Sequence, residues 1–229
     1  MSLLESIAND IRAARERDPA AVSNIEVILA YPGFHARQWH RLAHSLYDAG
    51  VPLLPRLVSH LSRFLTGIEI HPGAKIGEGL FIDHGMSVVI GETAVIGDNC
   101  HLYQSITLGG TSMKRVKRHP TLGKNVVVGA GARLIGDIEI GDNARIGAGS
   151  VVVTNVPANA TVVGVPGHVV AFHDPGDDTV VHLPDPEWDR IQALEERVAE
   201  LERRLAEAEA QSESRRPGVR AAGGEDEAP

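Results

Sequence analysis

Aliphatic residues recur at every sixth position through the middle of the chain. Leu122, Val128, Leu134, Ile140, Ile146 and Val152 stand six apart, and four residues after each come Val126, Ala132, Ile138, Ala144, Ser150 and Val156. A period of six fits neither a helix nor a flat strand. It fits a chain that turns a corner every six residues, with a branched side chain filling the inside of each edge. Three edges close one coil, and stacked coils make a solenoid around an aliphatic column. The rhythm starts earlier, with Ile70, Ile76, Ile82 and Val88, partnered by Ala74, Leu80 and Met86 at the small inward positions. It then slips by two and resumes as Ile90, Ile96, Leu102 and Leu108, with Ala94, Cys100 and Ile106. Fourteen residues separate Leu108 from Leu122, again two more than a multiple of six. That stretch reads Gly-Gly-Thr-Ser-Met-Lys-Arg-Val-Lys-Arg-His-Pro, which cannot line an inner edge and should leave the coil as a loop.

The flanks carry a different period. Leu3, Leu4 and Ile7 precede a charged run that stops at Asp18-Pro19, and Ile25, Val27, Ile28 and Leu29 follow up to Pro32-Gly33. Phe34, Trp39, Leu42 and Leu46 then space as a helix ending near Gly50, and Pro52 opens another with Leu53, Leu54, Leu57, Leu61 and Leu65. Beyond the repeats, Ile191, Leu194, Val198, Leu201, Leu205 and Ala208 step by three and four, flanked by Glu and Arg. This predicts a coiled-coil or surface-packing helix. The expected organisation is a helical cap over residues 1–66 and a solenoid over 67–170 with an extruded loop at 110–121. A linker and heptad helix follow over 171–211, then a disordered tail over 212–229. Three-sided prisms pack side by side, and a heptad seam gives three neighbouring chains a second shared axis, so a homotrimer is expected. Clefts between neighbouring solenoids suit elongated ligands.

Composition agrees with a narrow interior: hydrophobic residues make up 43% of the 229, aromatic ones only 4%. The net charge of −8 is carried mostly by the segment from Asp185 to the end, where 13 acidic residues face seven basic ones. It therefore says little about a substrate and argues against nucleic acid. The lone Cys100 sits at an inward position and reads as a small buried hydrophobe. With no signal peptide and no apolar run of membrane length, a cytoplasmic location without membrane contact is expected.

The chemistry-bearing residues cluster around the phase slip and the loop. Asp83-His84 follows inward Ile82 and so occupies a corner, Glu69-Ile70-His71-Pro72 lies fourteen residues before Asp83, and Arg118-His119 ends the loop. Glu69 and Asp83 can come round to neighbouring corners of one cleft. A corner imidazole beside a carboxylate is a candidate general base, because its pKa lies near neutrality and the acid fixes its tautomer. The plain alternative for His84 is a surface histidine bonded to a turn; His71 and His101 fit such structural roles better. Lys114, Arg115, Lys117 and Arg118 can attract phosphate or carboxylate, or form a solvated charge run. His71, His84, His101 and His119 could also hold zinc between subunits, but none forms a tight His-x4-His pair on adjacent repeats. A scaffold without activity would leave these placements without a use.

Asp83-His84, Val89-Ile-Gly-Glu-Thr-Ala-Val-Ile-Gly97, Gln104-Ser-Ile-Thr-Leu-Gly-Gly-Thr111, Arg118-His119-Pro120 and Gly164-Val-Pro166 together resemble the serine O-acetyltransferases of cysteine biosynthesis. These belong to the hexapeptide-repeat acyltransferases, which fold as a left-handed parallel β-helix. The resemblance covers about residues 10 to 170. It implies transfer of acetyl from acetyl-CoA to the hydroxyl of L-serine, with no permanently bound cofactor and no metal. His84 matches the catalytic base, and Glu69 stands where the family has an orienting aspartate. Asp18 and Asp83 match carboxylates that hold the serine ammonium; Arg118 and His119 match contacts to its carboxylate. Gly110, Thr111 and Ala130 fall where the acetyl-CoA arm binds. L-cysteine is the implied feedback inhibitor. The cap is short beside those that pair two trimers into a hexamer. The chain ends Glu-Asp-Glu-Ala-Pro where many members end in an isoleucine that docks into the sulfhydrylase, which speaks against that complex. The runner-up is an acetyl-CoA-dependent O-acetyltransferase of the same fold acting on a sugar or another amino alcohol.

Overall fold

The computed structural model describes residues 2–173, 180–182 and 186–214. Four helices open the chain: α1 Leu3–Arg17, α2 Asn24–Ala30, α3 Pro32–Asp48 and α4 Leu54–Thr66. Ser2 caps α1 through a full capping box with Glu5, and Pro32 stands in the first turn of α3, where its missing N–H costs nothing.

Strands of two or three residues then pass in turn to three parallel sheets. One holds β1 Glu69–Ile70, β4 Val89–Ile90, β7 Thr107–Gly109, β10 Arg133–Ile135 and β13 Val151–Val152. The second holds β2 Lys75–Ile76, β5 Val95–Ile96, β8 Thr121–Leu122 and β11 Glu139–Ile140. The third holds β3 Phe81–Ile82, β6 His101–Leu102, β9 Val127–Val128, β12 Arg145–Ile146 and β14 Ala160–Val163. The third sheet is extended antiparallel by β15 His168–His173, which straddles the expected end of the coil at 170, and by β16 Val180–His182, within the span expected to be linker. Up to β12 the strand order advances by three within every sheet, which is a three-sided coil; the step from β12 to β14 is two because the edge between them makes only an isolated bridge, Ile140 with Val156.

Each rung stacks like on like: Ile90, Leu108, Leu134 and Val152 are in register in the first sheet, and all are buried. The small inward set, including Ala94, Cys100, Val126, Ala132 and Ala144, fills the gaps between rungs. Burial pushes the Cys100 thiol up to about 11, so it is inert packing. At one corner Asn99, Asn125, Asn143 and Asn159 all take positive φ, a conformation asparagine tolerates. Asn125 donates to Asn143 at 3.0 Å and Asn143 to Asn159 at 2.9 Å, forming a side-chain ladder down that corner.

The register explains both interruptions of the sixfold rhythm. Val89 pairs with Thr107 eighteen residues on, the length of one coil. Glu69 pairs with Val89 twenty on, so the first coil holds two surplus residues. They lie between β3 and β4, in the corner Asp83–Ser87, where His84, Gly85 and Ser87 all have positive φ. Met86, expected to point inward, is therefore displaced from the column and 62% exposed. Thr107 pairs with Arg133 twenty-six on, so the loop adds eight residues. It ends before β8, rather than at residue 121.

The cap packs on the first coil through polar side chains aimed at backbone carbonyls. Arg37 donates to Ile76 O and Gly77 O at 3.0 and 2.9 Å, His40 Nε2 to Ala74 O at 3.2 Å, and Ser59 to Ile70 O at 2.6 Å. Arg17 reaches Cys100 O at 3.0 Å. Gly33 lies so close to Ile82 that a Cβ there would sit 2.1 Å from its carbonyl oxygen. Because α4 turns Ser59, Ser62 and Thr66 inward, its apolar stripe of Leu54, Leu57, Leu61, Phe64 and Leu65 faces out. That inversion marks a surface made for contact.

A separate unit contains the heptad helix α5, Pro186–Ser214, which runs past residue 211. The rest of the expected tail lies outside the described residues. No helix among the described residues is long and apolar enough to cross a membrane.

Candidate active site

Two groups of polar side chains stand on different corners of the coil. The first surrounds the surplus corner between β3 and β4. His84 is held at φ +57 with its side chain 73% exposed, and its Nε2 lies 3.9 Å from Asp83 Oδ1. A separate segment of the cap joins it. Tyr31 donates to Asp18 Oδ2 at 2.6 Å, and the Ala20 N–H donates to Asp18 Oδ1 at 2.8 Å. The Tyr31 bond, then the Ala20 N–H, hold the Asp18 carboxyl below the ordinary range, with the charges of His84 and His101 assisting. Tyr31 is pushed up to about 12, by desolvation first and then by Asp18, with Asp83 adding to it. His101 is buried between the rings of Phe81 and Tyr103, with centroids at 4.8 and 4.4 Å; burial lowers its pKa and the charges of Asp83 and Asp18 oppose the shift. This corner thus sets two carboxylates, Asp18 and Asp83, beside one exposed imidazole.

Glu69 opens the adjoining edge, and its Oε2 accepts from Arg63 at 3.0 Å. No hydrogen bond joins it to His84 among the described residues. In the single chain the expected carboxylate–imidazole pair is therefore not made: Arg63, the nearer cation, takes the carboxylate.

The second group occupies the next corner, between β4 and β5. Arg118 donates to Glu92 Oε2, and burial lowers the pKa of His119, aided by Arg118 and Lys117 against Glu92. Burial acts to raise Glu92, but the Arg118 bond and nearby histidines leave it below its ordinary range. Thr93 organises the corner. Its Oγ1 accepts from the backbone N–H of Arg118 and of His119 at 3.0 and 3.2 Å. Its own N–H donates to His119 Nδ1 at 3.2 Å, and its hydroxyl lies 2.9 Å from the same nitrogen. Nδ1 is thus an acceptor, and the neutral ring carries its proton on Nε2. That Nε2 faces Gly91 and Gly110, where a Cβ would sit 2.1 and 3.0 Å from it. Two glycines keep open the space around a donor N–H. Next to this corner, Tyr47, Gly73, Lys75, Glu92, Thr93 and Lys117 line a cleft of about 280 Å³. His71 faces the same group, and burial, then Arg56, lowers it to about 4.

Gly110 and Thr111 also belong to the second corner, Thr111 lying against Gly136. Ala130 belongs to the first, where its carbonyl accepts from Gly149 N–H at 2.8 Å. The straight edge of the first sheet separates the two corners, roughly 15–20 Å of extended chain. The loop therefore does not stand over His84 within one chain. Glu92, Thr93 and Tyr31 are site residues that sequence reasoning left without roles. The Gly-Glu-Thr-Ala run was the available signal for the first two.

The amino-terminal segment, residues 1–39, matches the family model described as "Serine acetyltransferase, N-terminal", and residues 119–154 match "Bacterial transferase hexapeptide (six repeats)". The solved soybean serine acetyltransferase complexed with serine is 46% identical, with a TM-score of 0.72 over 74% of this chain and 70% of that one. The chain belongs to the serine acetyltransferase family. The serine acetyltransferase of Brucella abortus in complex with coenzyme A is 42% identical, with a TM-score of 0.71 over 73% of this chain and 67% of that one. That of Synechococcus elongatus is 55% identical over 139 residues, 61% of this chain and 57% of the relative. The chain thus spans little more than half the length of such curated relatives.

Proposed function

We propose that this protein moves the acetyl group of acetyl-CoA to the hydroxyl of L-serine, giving O-acetyl-L-serine and CoA, the first step of cysteine biosynthesis. One observation supports this above the others: a carboxylate-rich corner with an exposed imidazole and a cation-bearing corner with an N–H donor occupy the same coil. A zwitterionic amino acid needs those charges held apart. In this reading the corner bearing Asp18, Asp83 and His84 of one copy faces the corner bearing Arg118 and His119 of its neighbour in a left-handed β-helical trimer. The outward apolar stripe of α4 supports packing between copies. The cap and coil, which form one compact unit, and the heptad helix, which belongs to a second, are then parts of one cytoplasmic enzyme.

Asp18 and Asp83 take the ammonium, and Arg118 the carboxylate. His84 removes the hydroxyl proton as the oxygen attacks the thioester carbonyl, a step for which general-base assistance contributes ~10²–10⁴-fold. The tetrahedral oxyanion needs a preorganised donor, and the Nε2–H of His119 is one available at the site. Collapse expels the CoA thiolate, which takes the proton back from the imidazolium, so acetyl passes directly between substrates. Gly110, Thr111 and Ala130 border the acetyl-CoA arm. Glu69 orients His84 once the neighbouring copy competes for Arg63. L-cysteine, nearly isosteric with serine, occupies the same charges and inhibits.

The test is an acceptor panel with acetyl-CoA, read as thiol release. L-serine should release CoA while sugars and other amino alcohols do not, and His84→Ala should lose at least ~100-fold in turnover with assembly unchanged. Inert serine, or a His84→Ala enzyme near full activity, overturns the reading.

A further inference from the structure

The heptad helix carries a charge code that its own fold does not use. With Ile191, Val198 and Leu205 at the a positions and Leu194 and Leu201 at d, the apolar seam is 45–60% exposed along its whole length. The residues beside a are Arg190, Arg197 and Arg204, and those beside d include Glu195 and Glu202. One flank of the seam is thus uniformly cationic and the other anionic. The ion pairs within the helix lie elsewhere: Arg203 bonds Glu200 at 2.7 Å and Glu207 at 3.0 Å, on the face away from the seam. Among the described residues Glu195, Arg197 and Glu202 form no ion pair.

We propose that α5 is a homotypic docking surface, whose occupant is the same helix of a second copy, parallel and in register. Flanking charges set partner and orientation in such seams. Parallel pairing places the cationic flank of each helix against the anionic flank of the other, five residues on: Arg190 meets Glu195 of the second copy, and Arg197 meets Glu202. Antiparallel pairing places arginine against arginine and glutamate against glutamate. An unrelated apolar groove would have no reason to match both flanks. The inference does not depend on the acetyl-transfer reading, because association of α5 needs no substrate.

Cysteine cross-linking of the full-length protein tests it, since Cys100 is buried and leaves no competing thiol. In oxidised glutathione, Ile191→Cys should form disulfide-linked pairs at least tenfold faster than Ala199→Cys, which lies off the seam. Arg190→Glu with Arg197→Glu should slow that cross-link at least tenfold, and adding Glu195→Arg with Glu202→Arg should restore it. Equal rates at 191 and 199 overturn the proposal. So does indifference to the charge reversal, or preferential linkage of Ile191→Cys to Leu205→Cys in mixed samples. Helix content by circular dichroism distinguishes a lost seam from a lost helix: slow cross-linking of the charge-reversed variant at parent helicity counts for the proposal, and slow cross-linking of Ile191→Cys alone at parent helicity counts against it. Rescue by the double compensation counts for it whatever the helicity of the intermediate variant.

Discussion

Gly91→Ala tests the cation-bearing corner without touching a charged or hydrogen-bonding group. The new Cβ would lie 2.0 Å from His119 Cδ2 and 2.1 Å from Nε2, against an ordinary contact of 3.4 Å or more. The imidazole must retreat by about 1.4 Å, and misplacements of ~1 Å at a reacting centre cost ~10²-fold in rate. Its two contacts to Thr93, at 2.9 and 3.2 Å, cannot survive that movement. Overpacking of this kind also costs about 1–3 kcal/mol of stability. Gly91 is not among the positive-φ glycines, so backbone strain does not confuse the result. The assay is a double-mutant cycle with His119→Ala, read as kcat/KM for serine and as the urea midpoint. Gly91→Ala should lower both. In the double variant the stability should recover to that of His119→Ala alone, while activity stays low. A double variant as unstable as the sum of the singles would place the clash elsewhere, and an active Gly91→Ala enzyme would dissociate His119 from the chemistry.

Two further predictions concern the frame that holds the corners. Burial first, then the Arg37 charge, lowers His40 from an ordinary 6.5 to about 3. The unfolded chain therefore binds the proton first, so the contribution is complete above pH 6.5 and lost as pH falls from there towards 3; the shift of about 3.5 units corresponds to ~5 kcal/mol. Urea midpoints from pH 7 to pH 4 should fall steeply in the parent and less in His40→Asn. Leu134→Ala, in a fully buried rung, should cost about 2–5 kcal/mol by urea melting with KM for serine unchanged. A loss under ~1 kcal/mol would mean the column is loosely packed.

The coil was legible because its signal is local and periodic: Leu108, Leu122 and Leu134 announce their own sheets by counting. Counting found the two-residue slip but set it after Val88; the register moves it back to the corner after Ile82, where the surplus lifts His84 outward. It misplaced Met86, because a sixfold template cannot say where within a corner the surplus sits. Side chains that bond backbone 34 to 40 residues away, as His40 and Arg37 do, leave no periodic trace. The pairing of Glu69 with Arg63 was equally hidden, being a competition between neighbours rather than a motif. The sequence set His84 at a corner and Arg118 at the end of the loop. Assigning them to different corners required the register, because an eight-residue loop changes the phase without changing the pattern.

Parallel coils are self-templating: a bare terminal rung offers the same acceptors and donors on which the next rung was laid, and could recruit a foreign strand. Arg37, His40 and Ser59 fill the acceptors of the opening rung, and β15 reverses direction across part of the closing one. Polymer growth is thereby discouraged at both ends, and the sheets stay finite. Stripping the helical roof should turn the coil into a seed for fibres.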